Sequence, residues 1–397
     1  MMTQDWWSRW QALDHWLAQY RPLWATVPFS TPEPDWLRAQ PAAARWLEAL
    51  DEVDCEQYSE DLPALAKDLS PFWPELAERA SLLAVPVAEA PATPLAESRA
   101  RDMPGRKRLQ AGAFAAALTP LESRLIDWCC GKGHLGRTLV ACGAEAVTGL
   151  EWNPELVVDG NTLAARDGAA VTIRQQDVLA SGWSLPEADQ VVALHACGEL
   201  HRQLLRQGSE DGLARLSVSP CCYHLGVEGH YPLLSRRARE AARVSLDAGE
   251  MRVVVQETVT APARVRRQRQ TVSAWRLGFD GLQRQVRGQD HYLPVPPHPA
   301  ALNRADFRDF CLWAAERKSL ALPEDTDYPH WLAHGWRRLH QVRCLELVRH
   351  LFRRPLELWL VLDYALYLEE QGYRVSLREF CRRPLTPRNL LLDARRG

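Results

Sequence analysis

Short apolar runs alternate with amphipathic stretches between about residues 106 and 300, and this alternation limits the possible folds more than any other feature. Strands that alternate with helices are typical of βαβ units, whose strands lie parallel in one sheet. The sequence therefore predicts an α/β fold with a Rossmann-like sheet. The runs that we interpret as its strands are RLIDW, AVTGLEW, VTIRQQD, ADQVVALH, RLSVSP and MRVVVQETV.

The segments on both sides of this region have a different pattern. Trp6, Trp10, Leu13 and Leu17 recur at helical spacing, which is more typical of a packed helix than of a stacking platform. A stretch rich in alanine and proline at 85–104 has no clear period, and we interpret it as a linker. The sequence predicts three parts: an acidic, tryptophan-rich helical domain with its linker at 1–100, the α/β domain at 101–301, and a helical extension at 302–397.

Composition excludes several classes of protein. The chain has 397 residues, of which 46% are hydrophobic and 25% are charged, as in ordinary globular proteins. No run reaches the roughly 18 apolar residues of a membrane span, and the amino-terminal residues do not resemble a signal peptide. Ten cysteines include the adjacent pairs 129–130 and 221–222, which favour reduced thiols over disulfides. We therefore expect a cytoplasmic protein that does not contact membranes.

Charge is divided unevenly along the chain. Residues 1–100 contain 7 basic and 16 acidic side chains, whereas residues 101–397 contain 41 and 34. A basic excess in the second part favours an anionic partner. Four arginines lie close together after the sixth predicted strand, where they would contact phosphates or form ion pairs with the acidic part: Arg264, Arg266, Arg267 and Arg269.

A glycine-rich turn follows the first predicted strand, in Asp127-Trp-Cys-Cys-Gly-Lys-Gly-His-Leu-Gly136. Glycines permit a tight turn, and the helix that follows offers free backbone N–H groups to a nucleotide. The acid at Asp127 precedes the glycines, which suits a ligand with a positive ammonium better than a pyrophosphate. The turn therefore favours S-adenosylmethionine over a dinucleotide, although a dinucleotide site and a site without ligand stay open.

Acids also end the second and third predicted strands. Glu151 lies twenty residues after Gly131, where a carboxylate accepts from ribose hydroxyls, and Asp177 is placed to accept from an adenine amino group. Trp152 is placed to stack on the adenine. The residues that we predict to hold the donor are Asp127, Cys129, Gly131, Gly133, Glu151, Trp152 and Asp177.

Motifs in the same region resemble a known family. The glycine turn, His195-Ala-Cys-Gly-Glu-Leu200 and Pro220-Cys-Cys-Tyr-His224 resemble the methyltransferase-like proteins of the "ribosomal RNA adenine dimethylase domain-containing" type. The lead-in 103–108 and the tail with Thr386-Pro-Arg-Asn389 resemble the same family. The HACG and CCYH elements are similar to those of tRNA 2′-O-methyltransferases that act in the acceptor stem. The resemblance covers about residues 101–397 and implies a seven-stranded methyltransferase sheet with S-adenosylmethionine as donor.

The acceptor is expected beyond the carboxyl ends of the fourth and fifth strands. There the sequence places the residues that we predict to form a catalytic pocket: His195, Cys197, Cys222, Tyr223 and His224. In one interpretation, a histidine acts as base and Tyr223 stacks on a splayed RNA base. In a second, Cys197 and Cys221 act covalently. In a third, the cysteines and histidines bind metal, but no CxxC spacing supports it, so we predict no metal ligand.

These observations together predict an S-adenosylmethionine-dependent methyltransferase. The expected acceptor is RNA, either tRNA or rRNA. A protein methyltransferase that acts on a ribosomal or translation protein is one alternative, and a non-catalytic donor-binding or RNA-binding scaffold is another. The oligomeric state is not predicted.

Overall fold

A computed structural model describes residues 5–89, 91–256, 263–300, 302 and 305–397. Its strands, in chain order, are β1 (Arg124–Trp128), β2 (Ala146–Glu151), β3 (Val171–Gln175), β4 (Gln190–Cys197), β5 (Arg215–Cys221), β6 (Tyr373–Glu379) and β7 (Leu390–Arg396). They form one seven-stranded sheet with the order β3-β2-β1-β4-β5-β7-β6. The predicted α/β class and seven-stranded sheet are confirmed.

The helices lie between and around these strands. In chain order they are α1 (Trp6–Gln19), α2 (Arg21–Ala25), α3 (Asp35–Ala39), α4 (Pro41–Glu48), α5 (Glu52–Glu60), α6 (Leu62–Leu69), α7 (Arg79–Leu82), α8 (Gly105–Ala117), α9 (His134–Ala141), α10 (Pro154–Arg166), α11 (Glu199–Glu210), α12 (Arg236–Ala241), α13 (Ala248–Val255), α14 (Ala263–Arg287), α15 (Phe307–Arg317), α16 (Tyr328–His350) and α17 (Arg353–Glu370).

The first five strands are parallel, and their order reverses at β1 and β4. β1 pairs with β2 on one side and with β4 on the other, and β4 pairs with β5. Every residue of β5 is buried, as is expected for a parallel strand that is covered on both faces. Ligands of open α/β sheets bind where the strand order reverses, beyond the carboxyl ends of the strands. The fold therefore directs attention to the loops after β1 and β4.

The sixth strand does not come from the predicted segment. MRVVVQETV begins inside α13, and its last three residues lie outside the described part of the chain. Asp247 caps α13 by accepting from the Glu250 amide, while the Glu250 side chain accepts from the Asp247 amide. This capping box starts a helix immediately before the β-branched run, so local capping outweighs β propensity here.

Two strands near the end of the chain complete the sheet instead, where the sequence predicted helix. β7 runs antiparallel to β5, and β6 runs antiparallel to β7. Arg215 on β5 donates two hydrogen bonds to buried Asp393 on β7, at 2.9 and 3.0 Å. Gly372, with φ of 83°, ends the preceding helix and lets the chain turn into β6.

The chain divides into two compact units, each built from separate stretches of sequence. One contains Met1–Ala18, Ser81–Glu257 and Arg354–Gly397, and the other contains Gln19–Ala80 and Thr258–Arg353. These boundaries differ from the three consecutive parts drawn from composition, because α1 and the two last strands join the sheet-containing unit. Among the described residues, no helix is both long and apolar enough to cross a membrane.

The tryptophans of α1 pack in the interior of the sheet-containing unit, as their spacing predicted. Trp6, Trp10 and Trp16 are buried, and Trp10 is fully enclosed. The Trp10 ring stacks on Trp359 of α17 with the ring centres 5.9 Å apart. These rings therefore contribute to the core and do not form an exposed stacking platform.

Candidate functional site

The turn after β1 contains three residues in the left-handed backbone region, and two of them are glycines, which adopt this conformation readily. Cys129, Gly131 and Gly133 all have positive φ, at 55°, 58° and 66°. Gly133 precedes α9 directly, and a Cβ there would lie 2.9 Å from Cδ1 of Ile173. Glycine is therefore required at 133 by both conformation and space. Cys129 occupies a left-handed position where such turns ordinarily carry glycine, at a cost of order 1 kcal/mol.

Asp127 is the acid at the end of β1, and only 2% of it is exposed. Its Oδ2 accepts a hydrogen bond from the backbone N–H of Gly136 at 3.0 Å, so it holds the first turn of α9. Burial raises the pKa of Asp127 to about 7, the Gly136 amide opposes this, and the Glu151 carboxylate adds to it. A buried carboxyl with so high a pKa is well placed to gain a cationic partner.

Glu151 and Asp177 occupy the predicted strand ends, but their oxygens already have backbone partners. Glu151 accepts from the Gly131 N–H through Oε2 and from the Asn153 N–H through Oε1, both at 3.0 Å. Asp177 is exposed, and its Oδ1 accepts from the Leu179 N–H at 2.9 Å. Glu151 therefore shapes the glycine turn, and each carboxylate oxygen keeps a lone pair for a further donor.

A cavity of about 480 Å³ opens beside the glycine turn. Four predicted site residues line it: Asp127, Cys129, Gly131 and His195. The remaining predicted residues do not line it: Gly133, Glu151, Trp152, Asp177, Cys197, Cys222, Tyr223 and His224. Trp152 is 69% exposed. The cavity thus brings together the first-strand turn and one residue of the acceptor group.

The cavity also includes a segment to which the sequence assigned no role. Met103, Lys107 and Gln110 line it together with the glycine turn. Gln110 donates to the Leu385 carbonyl at 2.9 Å, which ties α8 to the tail near the end of the chain. In the sequence, this segment is marked by the basic run Arg106-Lys-Arg108. The fold places Lys107 at the same cavity as the Asp127 carboxyl.

The residues of this cavity fit an amino-acid-bearing nucleoside donor. Its volume lies in the range of small-molecule sites, about 300 to 1,000 Å³. Asp127 supplies a buried carboxyl for an ammonium, and Lys107 supplies an ammonium for a carboxylate. Leu135, Leu156 and Leu194 provide apolar surface between them. S-adenosylmethionine carries both charged groups and an apolar chain that joins them to the nucleoside.

His195 lies in a bulge near the end of β4. The pairing of β4 with β5 shifts register between Leu194 and Cys197, and His195 itself has φ of 63°. Burial is the main cause that lowers the pKa of His195 to about 4, so the imidazole is neutral near pH 7. The bulge turns the chain so that His195 lines the donor cavity. A neutral ring there is able to accept a proton or a hydrogen bond from an acceptor group.

The loops after β4 and β5 touch through their backbones. Gly198 has φ of 54°, and a Cβ there would lie 2.1 Å from the carbonyl oxygen of Leu225. The Gly198 N–H donates to the Cys221 carbonyl, and the Glu199 N–H donates to the Leu225 carbonyl, at 3.1 and 3.2 Å. The glycine of HACG is therefore required because it lets the two loops meet.

Three cysteines converge where these loops meet. The sulfur atoms of Cys197 and Cys221 are 3.4 Å apart, and those of Cys197, Cys221 and Cys222 all lie within 4.8 Å of one another. The Cys221 thiol donates to the His195 carbonyl at 3.2 Å. Hydrogen bonding with Cys197, followed by that with Cys221, lowers the pKa of Cys222.

Tyr223 does not reach the cavity, contrary to the stacking role suggested by the sequence. Its ring is fully buried, and its hydroxyl donates to Oε1 of Glu357 at 3.3 Å. The ring packs edge-on against His201, with ring centres 5.7 Å apart. No face of Tyr223 is free for a base, because α11 and α17 cover it. Its position between Cys222 and His224 instead fixes the course of the loop.

The tail after β6 forms part of the same neighbourhood. Glu357 is 2% exposed, and Arg354 donates to it at 2.6 Å, while an Arg388 nitrogen lies 3.9 Å away. Arg354 also donates to the Asn389 amide oxygen at 3.0 Å. The positive charge of Arg388 contributes to the lowered pKa values of His195 and Cys222. The sequence motif that contains Arg388 and Asn389 thus supports the acceptor side of the site.

Exposed arginines form the amino-terminal part of α14, in the second unit. Arg264, Arg266, Arg267 and Arg269 are all exposed, and none has an ion pair among the described residues. No acid occurs in α14 before Asp280. The predicted arginine group therefore lies on a helix and not on a loop, and its charge is uncompensated along its own helix.

Comparison with known proteins supports the enzyme class. Residues 114–228 match a family described as "Methyltransferase domain". These residues include β1 to β5, and with them Asp127 on β1 and His195 on β4. No curated protein matches this chain in sequence.

Solved structures resemble parts of the chain. A tRNA (uracil-54, C5)-methyltransferase from Pyrococcus abyssi, in complex with S-adenosyl-L-homocysteine, is 16% identical, with a TM-score of 0.25, over 29% of each chain. Magnesium protoporphyrin IX methyltransferase from Synechocystis is 23% identical, with a TM-score of 0.21, over 24% of this chain and 44% of its own. A glycopeptide N-methyltransferase is 20% identical, with a TM-score of 0.24, over 28% of this chain and 52% of its own.

Proposed function

We propose that this S-adenosylmethionine-dependent methyltransferase transfers the methyl group to RNA. The observation that carries the proposal is the group of four exposed arginines on α14, none of which has an ion pair among the described residues. His195 lines the same cavity as the donor-side carboxyl of Asp127, which supports methyl transfer itself. Methyl transfer needs an acceptor lone pair held in line with the donor's sulfonium, so positioning supplies most of the catalysis. His195 is the side chain that bridges the donor cavity and the acceptor side.

On the donor side, each charged group of the donor's amino-acid part has its own partner. Asp127 pairs with the ammonium, and Lys107 pairs with the carboxylate. The Gly131 turn approaches the nucleoside closely because it has no side chain, and a Cβ at Gly131 would meet no atom within 4 Å. Glu151 does not line the cavity, and it supports donor binding by holding this turn through the Gly131 N–H.

On the acceptor side, His195 orients the group that receives the methyl. Its neutral imidazole accepts a hydrogen bond from a hydroxyl or amine, and it takes up the proton that such a group loses after transfer. The thiols of Cys197 and Cys222 lie behind His195 rather than in the cavity, and His224 follows them in the same loop. Because Tyr223 is buried, a splayed base would have to stack on another surface.

The charge of the second unit supports a nucleic-acid acceptor. Four exposed arginines on α14 have no acidic neighbour on their helix as far as Asp280. Arginines contact phosphates in a planar, bidentate manner, and such contacts position RNA without reading its sequence. This distribution favours an anionic polymer over an apolar small molecule.

Methyl-labelled donor tests the proposal directly. The purified protein is incubated with labelled S-adenosylmethionine and either total RNA or a protein extract, each from cells that lack the enzyme. We expect label in RNA that ribonuclease releases, and none with the Asp127→Ala variant. Label that only a protease releases would overturn the RNA proposal in favour of a protein acceptor. Donor binding without transfer to either would indicate a scaffold.

A further inference from the structure

We propose that Cys197, Cys221 and Cys222 bind one Zn²⁺ ion at the junction of the loops after β4 and β5. Metal binding was one of three interpretations of these residues from sequence, but no CxxC spacing supports it, so no metal ligand was predicted. The junction brings together one ligand from the end of β4 and two adjacent residues from the end of β5. This site is separate from the donor cavity, and the inference does not depend on RNA as the acceptor.

The sulfur positions suit a single ion. Zinc–thiolate bonds are about 2.3 Å long, so tetrahedral thiolates lie about 3.8 Å from one another. The Cys197 and Cys221 sulfurs are 3.4 Å apart, and all three sulfurs lie within 4.8 Å of one another. Side-chain rotations that change the sulfur–sulfur distances by up to about 1 Å bring each sulfur to the required position. A disulfide needs about 2.05 Å between sulfurs, so the present geometry is that of free thiols.

The backbone holds these ligands before any ion binds. Cys197 and Cys221 are paired across the strands, and the Gly198 N–H bonds to the Cys221 carbonyl. Cys222 has φ of 46°, a left-handed conformation that a cysteine adopts at a cost of order 1 kcal/mol. Strained residues of this kind cluster at ligand sites. The strain at Cys222 places two consecutive cysteines on the same side of the junction.

An unused nitrogen lies in the same loop. His224 follows Cys222 by two residues, and its Nδ1 is buried without a hydrogen-bond partner among the described residues. A buried polar atom with no partner calls for an explanation such as an ion or ordered water. Three thiolates with one imidazole are a common set for structural zinc. The ring nitrogens of His224 lie outside the group of ligand atoms that are within 4.8 Å of one another, so the ring would have to rotate toward the three sulfurs to supply the fourth ligand.

A second cysteine pair in the chain provides the matched control. Cys55 and Cys344, both in the second unit, also have their sulfurs 3.4 Å apart. His340 Nε2 lies 3.7 Å from the Cys344 sulfur, but among the described residues no three ligand atoms there lie within 4.8 Å of one another. The two pairs share the same sulfur spacing, but they differ in the third ligand. Zinc should therefore bind at one and not at the other.

Metal content and cobalt spectra test the proposal. The full-length protein is purified under reducing conditions, stripped with chelator, and loaded with one equivalent of Zn²⁺ or Co²⁺. We expect one ion per chain, and thiolate-to-cobalt charge-transfer absorption. The Cys197→Ser and Cys222→Ser variants should bind about tenfold more weakly or worse. The Cys55→Ser/Cys344→Ser double variant should bind one ion as the wild type does. Circular dichroism establishes that each variant is folded.

Three results would overturn the proposal. One is a folded, reduced wild-type protein that takes up no Zn²⁺. Another is uptake that Cys197→Ser and Cys222→Ser leave unchanged. The third is a Cys197–Cys221 disulfide found by mass spectrometry in protein isolated under reducing conditions. The readouts are metal content and spectra, so the outcome of this test does not depend on whether the protein transfers a methyl group to RNA.

Discussion

Gly198 and Leu225 are in backbone contact, so close that a Cβ on Gly198 would lie 2.1 Å from the Leu225 carbonyl oxygen. This contact joins the loop that follows β4, the strand with His195 near its end, to the loop that follows β5 and begins with Cys222. A backbone atom cannot move aside as a side-chain end can. The junction therefore tolerates only glycine at this position.

Gly198→Ala tests this contact. The positive φ costs about 1 kcal/mol, and the clash adds the cost of overpacking, about 1–3 kcal/mol. Gly168→Ala is the matched control, because Gly168 has φ of 59° but open space around its Cβ position. We expect Gly198→Ala to lower the free energy of unfolding by about 2–4 kcal/mol, and Gly168→Ala by about 1, in urea titrations. Equal losses would show that the loops do not touch as described.

Asp127 should make stability fall as pH rises. Its folded-state pKa of about 7 lies above its ordinary value of 3.8, so the folded protein binds the proton more tightly than the unfolded chain. Its contribution is therefore fully present below pH 3.8 and is lost as the pH rises through 7. We expect Asp127→Asn, which retains an acceptor for the Gly136 N–H, to flatten the pH dependence of unfolding between pH 4 and 7. An unchanged slope would contradict the assignment.

Donor affinity should change with pH in the opposite direction. The ammonium of S-adenosylmethionine prefers the ionised carboxylate, which becomes the major form above pH 7. Affinity should therefore drop by about tenfold for each pH unit below 7, and protons should be released on binding below that pH. Calorimetry in buffers of different ionisation enthalpy measures both quantities. The same pH dependence in Asp127→Asn would assign it to another group.

The sequence predicted the parts of this molecule that local pattern determines. It found the parallel strands β1 to β5, because their short apolar runs alternate with helical stretches along the chain. It missed the last two strands: a capping box at Asp247 made the sixth run helical, and β6 and β7 come from far along the chain. Which distant segment pairs with β5 depends on contacts such as Arg215 with Asp393, which no local pattern reveals.

The candidate site was predictable to a similar extent. Strand ends located Asp127, Gly131 and His195, which line the cavity. Burial was not predictable. A tyrosine is able either to stack on a base or to pack in a core, and the packing of α11 and α17 around Tyr223 decides for the core. Lys107 lies on α8 before the first strand, and only the fold brings it to the glycine turn. The three-sulfur group required the register of β4 and β5.

Substitutions at Cys129 distinguish two reasons why donor binding could depend on this residue: its backbone conformation or its thiol. At φ of 55°, glycine is the favoured residue, and a β-branched residue is strongly disfavoured. We expect Cys129→Gly to bind the donor within about twofold of wild type, and Cys129→Val to lose about tenfold or more, because the strain of about 1–3 kcal/mol falls on the turn that binds. Calorimetric dissociation constants with matched thermal melts test this. Loss of binding in Cys129→Gly would assign a role to the thiol itself.

The arginines of α14 should determine how RNA binding depends on salt. Replacing Arg264, Arg266, Arg267 and Arg269 with glutamine removes up to four phosphate contacts. The slope of log K against log salt should then fall by up to about 3, at roughly 0.7 per contact for single strands. The control replaces four exposed arginines on other helices with glutamine, namely Arg38, Arg45, Arg166 and Arg252. Equal slopes in the two variants would show that the arginines of α14 do not contact RNA.

Isothermal calorimetry of S-adenosylmethionine binding at pH 7.5 tests the central claim most directly. The account predicts one site per chain for wild type, and binding weakened by about tenfold or more in both Asp127→Ala and Lys107→Met, because each loses one charged contact of about 1.5–3 kcal/mol. Lys67→Met, a lysine in the other unit, should bind as wild type does. No heat of binding in the folded wild-type protein, or equal affinities in all four proteins, would contradict a donor site at this cavity.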